Sequence, residues 1–246
     1  MLIRNDRYDL TDTFEVTVGI APSYKSFTVY TEVLIKRSYF FRAARSPPWL
    51  KDPTKPTKLI DTKPELFSLY LNCLFFGINS LQQYDDASDS KVISSTGKQL
   101  ASDRRDLASD RFELLIELYV LAEELIDPRT ANEVVDEFIR FSDDSQRFPE
   151  EHHIVKAYEL TGKEDPLRKL MRDYFVYEEG YEMSDRPQSQ PMPQDFYRDV
   201  AEEFWHVKEH HFPDQYNVFD SKVNVLLKEN PCRYHQHNEN HPWCVE

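Results

Sequence analysis

The sequence predicts a mixed α/β (α+β) fold: a small sheet of short strands, a cluster of helices, and an all-helical C-terminal extension. Three observations carry this. Residues 112–126, FELLIELYVLAEELI, are apolar except for Glu113, Glu117, Glu123 and Glu124, which share one narrow stripe at helical spacing. A helix of that pattern is buried nearly all round, so the rest of the domain must wrap over it. Residues 64–76, PELFSLYLNCLFF, open with proline at a first-turn position, run apolar at helical spacing and meet Gly77, the usual C-terminal glycine. Residues 14–20 alternate apolar and polar, 26–30 do so more briefly, and APSYK between them supplies turn chemistry, which together read as a hairpin.

After the hairpin, Thr31 is the expected N-cap of a helix pair broken near Ser38, with Val33 to Ile35 and then Tyr39, Phe40, Phe41, Ala43 and Ala44 as its two apolar clusters. Prolines at 47, 48, 53 and 56 exclude regular structure until a short strand at 57–61. Residues 79–111 turn to Ser, Asp, Gln, Lys and Arg, with ASDR at 101–104 repeated at 108–111, and read as a solvated, mobile insertion. Its serines (88, 90, 94, 95, 102, 109) are candidate modification or partner positions, although loop expansions of this kind are commonly just tolerated. Asp110 followed by Glu113 has the capping-box spacing for the start of the central helix, and Pro128 disfavours α geometry at Asp127. Further helices are predicted at 130–141, with Val134, Val135, Phe138 and Ile139 facing inward, and at 149–160 and 166–178. A linker at 178–194 precedes a helix at 195–211, anchored by Trp205, and a shorter one at 217–228.

Composition narrows the function. The 246 residues carry 30 basic and 44 acidic side chains, a formal net charge of −14, which weighs against nucleic acid or an anionic membrane as the main partner. The opening residues hold no apolar run of signal-peptide length, and no segment reaches the length of a membrane span, so the expected location is cytoplasmic or nuclear. Three cysteines (73, 232, 244) make no dense disulfide framework. Five glycines (19, 77, 97, 162, 180) include no phosphate-cradling spacing, and there is no G-x-S-x-G elbow. Cys73 lies within an amphipathic helix, where it reads as a small core residue rather than a nucleophile. The acidic pairs Glu123/Glu124, Asp143/Asp144 and Glu178/Glu179 are adjacent in sequence, so their carboxylates diverge. A non-enzymatic role, with no catalytic residues and no bound organic cofactor, is the expectation.

One stretch has the residue types of a metal site. Cys232, His235, His237, His241 and Cys244 fall within a short span, and Cys232-x-x-His235 with His241-x-x-Cys244 forms a symmetric set suited to one tetrahedral structural zinc. The competing reading is a polar tail whose Trp243 docks on the body. His206 and His210, with Glu203 a turn before, offer a second helical face for a metal, a pattern more often a solvated surface.

Taken in order, FTVY at 27–30, RSYFFRAA at 37–44, PELFSLYLNCL at 64–74, LYVLAEEL at 118–125 and PLRKLMRDYF at 166–175 resemble the BTB/POZ domain, particularly its compact fungal form with helices after it. The resemblance runs over about residues 14–175, and suggests a division into a BTB/POZ-like domain at 1–145 and a helical extension with the Cys/His tail at 146–246. The chain departs from the family pattern at Glu15, where Asp is usual, and at Tyr30 and Thr31, where His and Lys are usual. The resemblance implies a protein–protein interaction module that pairs with itself or with another protein. Its partner face would be the N-terminal segment plus 27–42, including Phe27, Val29, Leu34, Tyr39, Phe40 and Phe41. A narrower alternative is a substrate adapter of a cullin ubiquitin ligase, although 77–86, GINSLQQYDD, lacks the hydrophobic-x-Glu signal of cullin-recruiting members. A third, from another class, is a zinc-stabilised or metal-dependent protein built on the terminal Cys/His cluster.

Overall fold

The computed structural model describes residues 8–47, 49, 50, 52, 54–81, 101–177, 191–209 and 222–237, with backbone alone at 101–110, 206–209 and 222. The chain divides into two compact units, one of Met1–Ile93 with Leu121–Ala131, the other of Ser94–Val120 with Asn132–Glu246. The boundary expected at 145/146 falls inside the second.

In the first unit three strands, β1 (Thr13–Val18), β2 (Lys25–Tyr30) and β3 (Thr57–Leu59), form a sheet of order β2-β1-β3. β1 runs antiparallel to β2, with Phe14 opposite Val29 and Val16 opposite Phe27, and parallel to β3, with Val18 opposite Leu59. The alternation of the sequence explains the register: Phe14, Val16 and Val18 are all buried on one face, and a slip of one residue would turn all three to the other side. β2 passes directly into α1 (Thr31–Arg37), followed after a single residue by α2 (Tyr39–Ala44). Thr31 is therefore not the cap but the first helical residue. Tyr30, extended and still paired with Thr13, stands at the N-cap without a side-chain hydrogen bond, because the sheet ends only there.

Ser38 makes the break between the helices. Its Oγ accepts from Phe41 N (3.2 Å), capping α2, and donates to Leu125 O (2.5 Å). The strand expected at 57–61 is trimmed to three residues, and α3 (Pro64–Phe76) ends at Gly77, whose φ of +79° is a backbone conformation glycine adopts without cost. A 3-10 turn follows at Ile78–Leu81. At the centre of this unit Asp127, fully buried, accepts from Tyr70 Oη (2.9 Å), Thr130 N (3.0 Å) and Thr130 Oγ1 (2.5 Å), and lies 3.6 Å from Arg37.

The remaining helices are α4 (Ala101–Glu124), α5 (Pro128–Ser145), α6 (Glu151–Leu160), α7 (Pro166–Tyr177), α8 (Gln194–Glu209) and α9 (Lys222–Glu229). The central helix behaves as its pattern demands: Phe112, Leu115, Ile116, Leu118, Tyr119, Leu121, Ala122 and Leu125 are buried, while Glu113, Glu117, Glu123 and Glu124 keep the more accessible edge. It also begins at Ala101, so the mobile insertion expected at 79–111 is wrong over 101–111; residues 82–100 lie outside the described set. Once 112–125 are helical through packing, each preceding residue adds a backbone hydrogen bond without a new nucleation cost, and ASDRRDLASD holds no Pro or Gly to stop it. The same logic extends α5 beyond the expected 130–141.

The second unit is held by aromatic contacts, Phe112 on Phe138 (ring centroids 4.8 Å apart) and Phe138 on Tyr174 (6.3 Å). Lys156 on α6 bridges Glu113 (2.5 Å) and Glu117 (2.8 Å) on α4. Trp205, expected to anchor α8, is 64% exposed; Phe196 and Val200 supply the buried side instead. Residues 217–221 of the last expected helix lie outside the described set. No described helix is long and apolar enough to cross a membrane.

Candidate functional site

Two places in the described residues have functional geometry, and each is built by its local chain. The first lies at the end of the sheet in the first unit. β1 ends at Val18, and Gly19 takes a φ of +89°, a left-handed turn that side chains disfavour. A Cβ there would also sit 3.3 Å from Pro64 Cγ. Gly19 N donates to Leu59 O (2.8 Å), tying the turn to β3, and Ser23 N donates to Ile20 O (2.9 Å). The turn residues thus stand beside the end of β3 and enclose an open, mainly apolar groove of about 360 Å³, lined by Thr17, Gly19, Ile20, Tyr24, Lys58 and Ile60 among others. Ile20 (64%), Tyr24 (54%) and Ile60 (55%) are exposed. Beside the opposite edge strand, Tyr30 meets Phe75 edge-on (6.1 Å) and Phe76 is largely exposed.

This is not the face the family resemblance implies. Val29, Leu34 and Phe41 are buried in the core, and Phe27 packs edge-on against Phe67 (5.1 Å). Tyr39 and Phe40 are half-buried, one under the Arg42 guanidinium (4.5 Å), the other edge-on to Phe41 (5.1 Å). The apolar content of 27–41 serves the interior, as hydrophobic residues of a hairpin and first helix pair must in a sheet with one covered face. Ile20, Tyr24 and Ile60 were missed because each is a single apolar residue in a turn or beyond a short strand, where no periodicity marks it. Gly19 before APSYK was the available signal. Cys73 is buried, as its place on an amphipathic helix predicts.

The second place is the C-terminal segment of the second unit. Asn230 accepts from Cys232 N at its side-chain oxygen (3.2 Å), and His235 N donates to Cys232 O (3.1 Å), so a turn over 231–234 folds Cys232 back towards His235. His237 follows two residues later, and in extended chain that spacing returns a side chain to the same side. Cys232, His235 and His237 bring one donor atom each to within 4.8 Å of one another, all half-buried. Cys232 carries a free thiol. His235 Nε2 lies 2.7 Å from Asp136 Oδ1 on α5. Of the expected ligand set, the structure brings Cys232 and His235 together and adds His237; His241 and Cys244 lie outside the described residues, as do the side chains of His206 and His210.

The segment is anchored from below. Asp173, fully buried on α7, accepts from Arg172 Nε (2.8 Å) at one oxygen and from Arg233 Nε (2.8 Å) and Tyr234 Oη (2.9 Å) at the other. Glu203 on α8 pairs with Arg172 (3.0 Å) and Arg233 (3.3 Å) and accepts from Tyr177 Oη. Burial first, then the Asp173 charge, drives the Tyr234 hydroxyl far above its ordinary value, so it stays a donor. Gln236 exchanges hydrogen bonds with Asn132 (2.8 and 3.0 Å) and donates to Tyr119 Oη (3.0 Å).

No family model, curated protein or solved structure matches this chain.

The groove offers apolar contact area, one lysine and a short strand that, among the described residues, is paired on one side only. That chemistry suits the side chains of another polypeptide. The C-terminal cluster offers one thiolate-capable sulfur and two imidazoles, a donor set for zinc-class ions.

Proposed function

We propose that the chain is a protein–protein interaction module of the BTB/POZ kind, non-enzymatic, and located in the cytoplasm or nucleus. The observation that carries this reading is the rim of the small sheet, where Ile20, Tyr24 and Ile60 stand exposed around an apolar groove beside the edge strand β3. Exposed apolar side chains grouped around a concavity mark contact sites more often than isolated ones do. The edge strand adds backbone donors and acceptors for an extended partner segment. The ordered family-like motifs at 27–30, 37–44, 64–74, 118–125 and 166–175 support the same reading from the sequence side. The partner is a polypeptide, either a second copy of this chain or another protein.

The test places a photoreactive amino acid at Tyr24 and, as a control, at Leu160, which is also about half exposed but belongs to the other unit. Cross-linking in cells, with products identified by mass spectrometry, is expected to give one reproducible protein adduct from position 24 and none from 160. A self-adduct identifies a homo-oligomer, and a cullin adduct or co-purified cullin selects the narrower ligase-adapter reading. Equal labelling at both positions, or no protein adduct at 24, overturns the proposal.

A further inference from the structure

We propose that Cys232, His235 and His237 bind one divalent zinc-class ion, which fastens the C-terminal segment to α5. The starting point is convergence: three side chains of the right chemistry, from a six-residue stretch, present donor atoms within 4.8 Å of one another. Around a tetrahedral zinc, with Zn–S near 2.3 Å and Zn–N near 2.0–2.1 Å, ligand atoms stand about 3.3–3.6 Å apart. The observed cluster is therefore a slightly open version of a coordination shell, and an ion at its centre needs a closure of about 1 Å. One thiolate and two imidazoles favour zinc over magnesium or calcium, which take oxygen ligands.

Two features make this a built site rather than a chance meeting of tail residues. First, the backbone that carries the ligands is clamped on both sides of His235. Tyr234 reaches into the interior to Asp173, and Gln236 is held in both directions by Asn132. Tyr234 is fully buried, so the turn that joins Cys232 to His235 is fixed to the interior. Second, His235 has the support that metal-binding histidines have. Asp136 Oδ1 lies 2.7 Å from Nε2, and a carboxylate acceptor there is matched by the Nε2–H tautomer, which leaves the Nδ1 lone pair for a metal. A carboxylate on one ring nitrogen, with the metal on the other, is the arrangement that orients a zinc-bound imidazole and raises its basicity. His235 is only 8% exposed in its side chain, so the ring is already held in place.

The sequence suggested a zinc site from a different set, two Cys-x-x-His-like pairs. The arrangement here is Cys-x-x-His-x-His, with Asp136, more than ninety residues earlier, as its outer partner. It shares no residue with the sheet-rim contact site, so either proposal can fail alone.

The experiment uses the full chain without an affinity tag, produced in zinc-supplemented medium and dialysed against metal-free buffer. Elemental analysis is expected to find close to one zinc per chain. Replacing zinc by cobalt(II) is expected to give the intense visible bands of tetrahedral coordination and a near-ultraviolet thiolate-to-cobalt charge-transfer band. Cys232→Ser removes that charge-transfer band. His237→Asn weakens binding at least about tenfold, and Asp136→Asn, which alters only the outer partner, weakens it about 10–100-fold. Exposed His152→Asn leaves binding unchanged. Circular dichroism establishes that each variant is folded, and where one is not, the cobalt spectrum of the natural chain decides. The proposal is overturned if the natural chain keeps no stoichiometric metal, if its cobalt form lacks the thiolate band, or if C232S and H237N bind as tightly as the natural chain.

Discussion

Asp127 shows how much of the first unit hangs on one side chain. Its two carboxylate oxygens serve Tyr70, the Thr130 backbone and the Thr130 hydroxyl, with the Arg37 guanidinium alongside and no solvent contact. Asp127→Ala takes a carboxylate away from the nearly buried Arg37 and the acceptor away from two hydroxyls. The expected loss is about 3–5 kcal/mol in urea denaturation, the range for breaking a buried pair from one side. Asp127→Asn, which keeps one acceptor oxygen, is expected to lose less. A second residue-scale prediction concerns Glu113, whose carboxyl is held below its ordinary value, mainly by the hydrogen bond from Lys156. A depressed carboxylate contributes stability that is complete above its unfolded pKa and disappears as pH falls through its folded one. The stability gap between the natural chain and Lys156→Met is therefore expected to be widest near neutrality and to close below pH ~4.3, the ordinary glutamate value. Glu113 is about half exposed, so the gap is modest, and it should shrink further in high salt. Urea midpoints across pH read both effects.

At the scale of elements, the central helix tests which part of the sequence signal was sound. Its first ten residues have the composition of a loop and the backbone of a helix. Ala108→Pro removes a backbone donor and crowds the carbonyl four residues back, so it is expected to cost about 3 kcal/mol. In a mobile loop the same change would be close to neutral. Hydrogen exchange gives an independent reading: amides from 105 onward are expected to be protected in the natural chain and to lose protection in the variant. Elements with their own periodicity and stop signals were legible, α3 to the residue and the α1/α2 break at Ser38 among them. The start of α4 was not, because helix propagation outward from a packed segment leaves no hydrophobic mark. The assignment of Val29, Leu34 and Phe41 to a partner face failed for a related reason: an apolar residue looks the same in sequence whether it faces the core or another molecule. At the C-terminus the ligand types were legible, but the spacing was not decisive. His237 gains its place from the turn at 231–234, and Asp136 from a contact between distant segments, neither of which local sequence encodes.

For the molecule as a whole, the C-terminal segment is a structural member rather than an appendix. Arg233 and Tyr234 supply two of the donors to buried Asp173, and Arg233 shares Glu203 with Arg172. Deleting 230–246 is expected to lower stability by about 3–5 kcal/mol, since buried Asp173 loses Arg233 and Tyr234 and keeps only Arg172 of the three. Asp173→Asn in the truncated chain is expected to recover part of that loss, because the buried oxygen that faced Arg233 and Tyr234 no longer needs two donors. Thermal melts of the natural, truncated and truncated-substituted chains measure both, and a truncation that melts like the natural chain would mean the tail is ornamental.

The hydrogen bond from Arg37 to Thr130 joins residues 93 positions apart. Translation runs from one end, at about 5–20 residues per second, so the ribosome delivers this partner roughly 5–20 s after the arginine. During that interval Arg37, Ser38 and Tyr70 have been made, but the segment that satisfies them has not. A nascent chain that already holds β1, β2 and α3 must carry an uncapped interior through a long stretch of synthesis. It is in that window, more than in the finished protein, that a chaperone has something to hold.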